Sequence, residues 1–213
     1  MAFYVDLHGS SKKIEEILSY PVKTEKIMLY GSSFFTNWEY ERAHVQLHQA
    51  SSGKLDVINH GFGGATIDEL LYYYPSLVKP YKPKAMVFRT GYNELSKGLT
   101  PEQSVFLLER LLEWAKKDMP EIKLLVLKVF DTRHASEQLY EQICQYNALM
   151  EARLTGMENV RLLDINPFFY EDPANIGTRK NFRDVFVSDG LHITDRAYEE
   201  MAEYLANNIL ANM

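Results

Sequence analysis

Lys26-Ile27-Met28-Leu29-Tyr30-Gly31-Ser32-Ser33-Phe34-Phe35-Thr36-Asn37-Trp38 is an apolar run closed by one glycine and two serines, with a helical-looking segment behind it. A short continuous apolar run bounded by turn residues reads as a buried strand. A buried strand that feeds a tight turn at the carboxyl edge of a sheet is how an α/β enzyme presents a nucleophile or a phosphate-binding loop. By itself a Gly-Ser pair signals no more than a turn. The rest of the chain has to supply the partners.

The same grammar recurs downstream. Asp56-Val57-Ile58-Asn59-His60 is a second short apolar run and leads into Gly61-Phe62-Gly63-Gly64-Ala65-Thr66. A third run, 85–90, ends in Gly91-Tyr92-Asn93-Glu94; a fourth, 122–130, ends in Asp131-Thr132-Arg133-His134; a fifth covers 160–165. Helical spacing separates them, at about 38–49, 67–74 (ended by Pro75), 101–119, 136–154 and 194–212. Thr100-Pro101 is a sharp helix start, a hydroxyl cap followed by proline in the first turn, and Val105, Leu108, Leu111, Leu112 and Ala115 form an apolar stripe behind it. Five strand–helix repeats with near-continuous apolar strands predict a parallel sheet covered by helices on both faces. Residues 1–25 read as an N-terminal extension packed on or near the core, with a strand at Phe3-Tyr4-Val5 and a helix to about Ser19. Residues 166–190, with Pro167, Pro173 and Gly177, exceed ordinary loop length and are expected to hold a helical turn or to lie over a functional face.

Composition narrows the function classes. At 213 residues without repeats or a linker, one domain, 1–213, is expected. A net charge of −6 without a large Lys/Arg cluster argues against nucleic acid as a partner. The single cysteine, Cys144, excludes an internal disulfide framework and speaks against a structural zinc site. His44 and His48 have metal-compatible spacing but no accompanying ligand set, so no metal is expected. The visible N-terminus shows no secretory pattern and the chain no long apolar run, which predicts a cytoplasmic protein without membrane insertion. Tyr72-Tyr73-Tyr74 reads as helix packing with an exposed rim, a possible contact in a homo-oligomer.

In a doubly wound sheet, ligands sit outside the carboxyl ends of the strands. Ser32 and Ser33, His60 with the 61–64 glycines, Asn93 and Glu94, and Asp131, Arg133 and His134 all follow strands there, while Asp189 and His192 precede the last helix. A serine hydroxyl needs a base to take its proton, and the base needs a third group to hold its tautomer. Asp189 and His192 can fill those roles. A tetrahedral oxyanion needs donors aimed at it, which a glycine-turn amide and an Asn side chain supply.

These blocks, in this order, resemble the GDSL-type, or SGNH, esterases and lipases. Gly31-Ser32-Ser33-Phe34 is similar to the Gly-Asp-Ser-Leu block, with Ser32 where aspartate is usual. Asn59-His60-Gly61-Phe62-Gly63-Gly64 is similar to the second block, Gly91-Tyr92-Asn93-Glu94 to the Gly-x-Asn-Asp block, and Asp189-Gly190-Leu191-His192 to the closing Asp-x-x-His block. The resemblance implies a three-layer α/β/α, flavodoxin-like fold with a five-stranded parallel sheet. It implies Ser33 as nucleophile, His192 as general base oriented by Asp189, and an oxyanion hole from the amides of Ser33 and Gly64 with the Asn93 side chain. No cofactor is implied. His60, Glu94, Arg133 and His134 are candidates for substrate contact. The expected reaction is hydrolysis of short-chain or acetyl esters of sugars or small metabolites through an acyl-enzyme. Lysophospholipase or acyl-thioesterase action is the alternative within the same chemistry. A nucleotide- or flavin-binding module, with the 61–64 glycines cradling a phosphate, is the alternative outside it.

Overall fold

The structure is a computed structural model and describes residues 10–213. The strand expected at Phe3-Tyr4-Val5 lies outside the described residues. Five parallel strands, β1 (Ile27–Gly31), β2 (Val57–Asn59), β3 (Ala85–Arg89), β4 (Lys123–Leu127) and β5 (Val160–Leu163), form one sheet in the order β2-β1-β3-β4-β5. The eight α-helices described are α1 (Ser11–Ser19), α2 (Ser33–Thr36), α3 (Tyr40–Ala50), α4 (Ile67–Leu77), α5 (Tyr92–Ser96), α6 (Pro101–Asp118), α7 (Glu137–Leu154) and α8 (Asp195–Ala211).

Both faces of the sheet are buried, and the two-residue strand period divides the core. Met28, Tyr30, Met86, Phe88, Leu124 and Val126 pack with α1, α4, α6 and α7. Ile27, Leu29, Val87, Leu125 and Leu127 pack with α3 and α8. This is the three-layer α/β/α arrangement that continuous apolar strands require. The register pairs Ile27 with both Val57 and Ala85, and Gly31 with Arg89. The strand order turns back at β1, which has β2 on one side and β3 on the other, so a crevice opens at the carboxyl ends of β1 and β3.

Element boundaries depart from the expected ones for local reasons. α4 continues through Pro75, which sits exposed in the last turn, and Val78 N–H closes that turn on the Tyr74 carbonyl at 3.0 Å. β4 stops short of Val129 because the Asn147 side chain of α7 takes both backbone groups of that residue, at 3.0 and 2.8 Å. Between Gly31 and α3 the chain makes the separate short helix α2, and Asn93 and Glu94 lie in another short helix, α5. The 166–190 segment contains two 3-10 turns and joins the core on the α3/α8 side: Phe169 stacks on Phe130 at 4.0 Å between ring centres.

Candidate active site

Ser33 is the first residue of α2, two positions beyond Gly31, the last residue of β1. The turn that places it depends on close backbone approach. A Cβ on Gly31 would collide with the Arg89 carbonyl of β3, and one on Gly61 would lie 2.5 Å from the Phe35 Cβ. The far end of α2 is held by two side chains: Asn59 Nδ2 donates to the Phe35 carbonyl at 2.7 Å, and Tyr198 Oη to the Phe34 carbonyl at 2.7 Å. Ser32 is buried and extended, and its carbonyl accepts the Phe35 and Thr36 amides; its hydroxyl makes no capping bond.

His192 approaches from the other end of the sequence. Its Nε2 lies 2.9 Å from Ser33 Oγ and its Nδ1 2.7 Å from Asp189 Oδ2. The second Asp189 oxygen accepts the amides of Leu191 at 2.8 Å and His192 at 2.9 Å. Partial burial works to raise this carboxyl, but the bonds from the His192 ring and from the two amides prevail and hold it down at about 2. An ionised Asp189 favours the tautomer with hydrogen on Nδ1, which leaves Nε2 free to accept from Ser33. The turn itself is tied down by Val187 N–H to the His192 carbonyl at 2.9 Å and by Arg133 N–H to the Gly190 carbonyl at 3.0 Å.

Across the crevice, Asn93 Nδ2 donates to the Ala65 carbonyl at 2.9 Å and so links the loops after β2 and β3. Gly64 is exposed, with φ +74, a conformation that favours glycine. An Asn amide carries two hydrogens, so one bond to Ala65 leaves a second for a ligand. Within the glycine stretch, Gly61 N–H is committed to Asn59 Oδ1, Phe62 N–H to the Gly31 carbonyl and Ala65 N–H to the Phe62 carbonyl.

The four candidates for substrate contact separate. His60 is fully buried, bonded through Nδ1 to the Leu77 carbonyl at 2.7 Å and edge-on to Tyr81. Burial pushes its pKa down to about 4, so it is a neutral core residue and the expectation of substrate contact is corrected. Glu94 is also fully buried and accepts Gly91 N–H at 2.8 Å, bracing the turn that carries Asn93. Its expected substrate contact is likewise replaced by support. Arg133 and His134 are exposed: Arg133 donates to the Arg183 carbonyl at 2.9 Å, and a Cβ on Gly190 would strike the His134 ring. Both flank the 189–192 turn. Away from the site, His44 and His48 point Nδ1 at the Val57 and Leu55 carbonyls.

The model of the GDSL-like Lipase/Acylhydrolase family matches residues 29–200. The chain belongs to this family. Two curated relatives, the platelet-activating factor acetylhydrolase IB subunit alpha1 of Rattus norvegicus and that of Mus musculus, are each 25% identical to it over 157 residues, spanning 73% of this chain and 64% of theirs. Solved structures share the fold. A GDSL-like lipase from Bacteroides thetaiotaomicron superposes with a TM-score of 0.74 at 16% identity, covering 95% of this chain and 98% of the other. The lipase/acylhydrolase from Enterococcus faecalis gives 0.67 at 17% identity, covering 88% and 96%. No helix among the described residues is long and apolar enough to cross a membrane.

The motif reading gave no role to several residues around Ser33. Tyr198 and Asn59 hold α2, and Phe34, Phe130 and Arg89 line a cleft with Ser33 and His192. Arg89 did leave a signal, a charge inside an otherwise apolar strand.

Proposed function

We propose that this protein hydrolyses short-chain carboxylic esters with Ser33 as nucleophile. His192 Nε2 takes the Ser33 proton as Oγ attacks the carbonyl carbon, and ionised Asp189 stabilises the imidazolium through Nδ1. The amides of Ser33 and Gly64 and the free Asn93 amide hydrogen hold the oxyanion. His192 then protonates the leaving alcohol and, in the second half-reaction, activates water against the acyl-enzyme. The observation that carries this reading is the unbroken hydrogen-bond line from Ser33 Oγ through His192 to Asp189, at 2.9 and 2.7 Å, between residues 159 apart in the chain.

A short acyl group is favoured by the cleft beside Ser33, which Phe34, Phe130, Leu191 and Tyr198 wall in. The mammalian relatives, named for acetyl ester hydrolysis, point the same way. Labelling with a fluorophosphonate followed by mass spectrometry should locate the adduct on Ser33. Ser33→Ala should lower p-nitrophenyl acetate turnover by ~10⁴-fold or more with an unchanged circular dichroism spectrum. Full activity in that variant would overturn the assignment. A chain-length series from acetyl to palmitoyl separates the short-chain reading from lysophospholipase or long-chain thioesterase action.

A further inference from the structure

Arg89 is the last residue of β3 and is 3% exposed. Strand alternation turns it to the α3/α8 face, where its Cζ lies 4.8 Å from the Phe34 ring centre and 4.3 Å from that of Phe130. Neither Nε nor Nη2 has a hydrogen-bond partner among the described residues. Burial draws the group down to about 10, so it stays protonated at neutral pH. A buried charge without a partner is among the costliest features a core can hold, and one hydrophobic residue would remove the cost.

Position supplies a reason to keep it. Arg89 lines one cleft with Ser33, His192, Leu191 and Tyr198. Nε–H and one Nη2–H form the side-on fork of a guanidinium, the pair of parallel donors that matches the two oxygens of a carboxylate. The aromatic rings cover the guanidinium with apolar surface, so the unpartnered edge is where an acceptor is needed. The cleft is narrow, with a cavity volume of about 10 Å³, close to the ~10–15 Å³ that a single water-sized group such as one acceptor oxygen needs.

We propose that Arg89 is a specificity residue that receives a carboxylate carried by the substrate a few atoms from the scissile ester, so that the preferred substrates are small anionic esters. The inference rests on the Ser33 hydrolase reading and names a substrate class for it. The carboxylate can belong to the acyl part, as in a half-ester of a short dicarboxylic acid, or to the alcohol part, as in an acylated hydroxy acid. Both present the same pair of oxygens.

The test compares each anion with its neutral amide isostere: monoethyl succinate against ethyl succinamate for the acyl arm, and acetoxyacetate against acetoxyacetamide for the alcohol arm. In one arm the unmodified protein should favour the anion by about 10- to 100-fold in kcat/KM, as expected for a charge-assisted hydrogen bond. Arg89→Met should bring that ratio to about one, and Arg89→Lys, which keeps the charge but loses the fork, should recover only part of it. If Arg89→Met fails to fold, inhibition of the unmodified protein serves instead. Succinate or glycolate should then compete at least about tenfold better than succinamide or glycolamide. Equal use of anion and amide in both arms, with Ser33 labelled and the neutral esters turned over, overturns this inference and leaves the hydrolase reading standing. An unlabelled Ser33 with no turnover of any ester overturns both.

Discussion

Two charged groups near Ser33, one behind His192 and one in the cleft wall, sit under opposite conditions. Asp189 is about half exposed, its side chain at 47%, where water would satisfy it, yet the His192 ring and two backbone amides all bond to it. Arg89 is buried, where it needs partners, and its Nε and Nη2 have none among the described residues. Stability alone predicts the reverse, since exposed ion pairs contribute little and buried unpaired charges cost much. On the proposed reading the difference is functional: Asp189 is fully bonded to fix the orientation and tautomer of His192, and Arg89 is left open for a partner that arrives with the substrate.

The largest expected effect breaks the paired side. Asp189→Asn can still accept the two turn amides, but an amide opposite Nδ1 no longer enforces the required tautomer. Turnover of p-nitrophenyl acetate should fall by ~10⁴-fold in kcat with little change in melting temperature. Steady-state kinetics beside a thermal melt reads both, and an undiminished kcat would take Asp189 out of the relay.

Next is the donor opposite the relay. Asn93→Ala should cost ~10²- to 10³-fold in kcat with KM nearly unchanged, the pattern of an interaction made mainly in the transition state. A rise in KM alone would make Asn93 a ground-state contact.

Glu94 sharpens the contrast because it is a buried acid braced by a backbone amide. Burial raises its pKa from 4.5 to about 7. A raised acid favours the protonated folded form, so folding stability is highest below pH 4.5, falls as pH rises toward about 7 and is level above that. The full drop is about 3 kcal/mol. Glu94→Gln should remove this slope in urea unfolding measured at several pH values. An identical slope in the variant would assign it to other groups.

The smallest effect lies on the unpaired side. Arg89→Met should raise unfolding free energy by about 1 kcal/mol, because removing the uncompensated charge outweighs the lost contacts with Phe34 and Phe130. A loss of several kcal/mol on urea unfolding would make Arg89 a structural residue.

Much of this was legible in the residues. Val/Leu/Met runs between helical segments mark parallel strands because both faces of such a sheet are buried, and periodicity records burial. The strand-end motifs then limit which side chains can meet. The 189–192 turn was the clearest local signal, because Asp189 reaches its own turn's amides and the ring three residues on. Other features depend on contacts distant in sequence. His60 follows a strand, as a site residue would, but the Leu77 carbonyl and Tyr81 enclose it. Nothing near Val129 announces that Asn147, 18 residues on, ends β4. Arg89 could be seen as an anomaly in its strand, though not as a neighbour of Ser33.

The sequence by itself determined the α/β architecture, its strand-end turns and the residue types for acyl chemistry, because local burial and turn chemistry repeat at short range. The tertiary structure decided that Ser33 and His192 share a hydrogen bond, that Glu94 is support and His60 core, and that Arg89 faces the nucleophile's cleft without a partner. Those outcomes depend on how β1, β3 and α8 come together, and a buried group's partners are set by which distant elements enclose it.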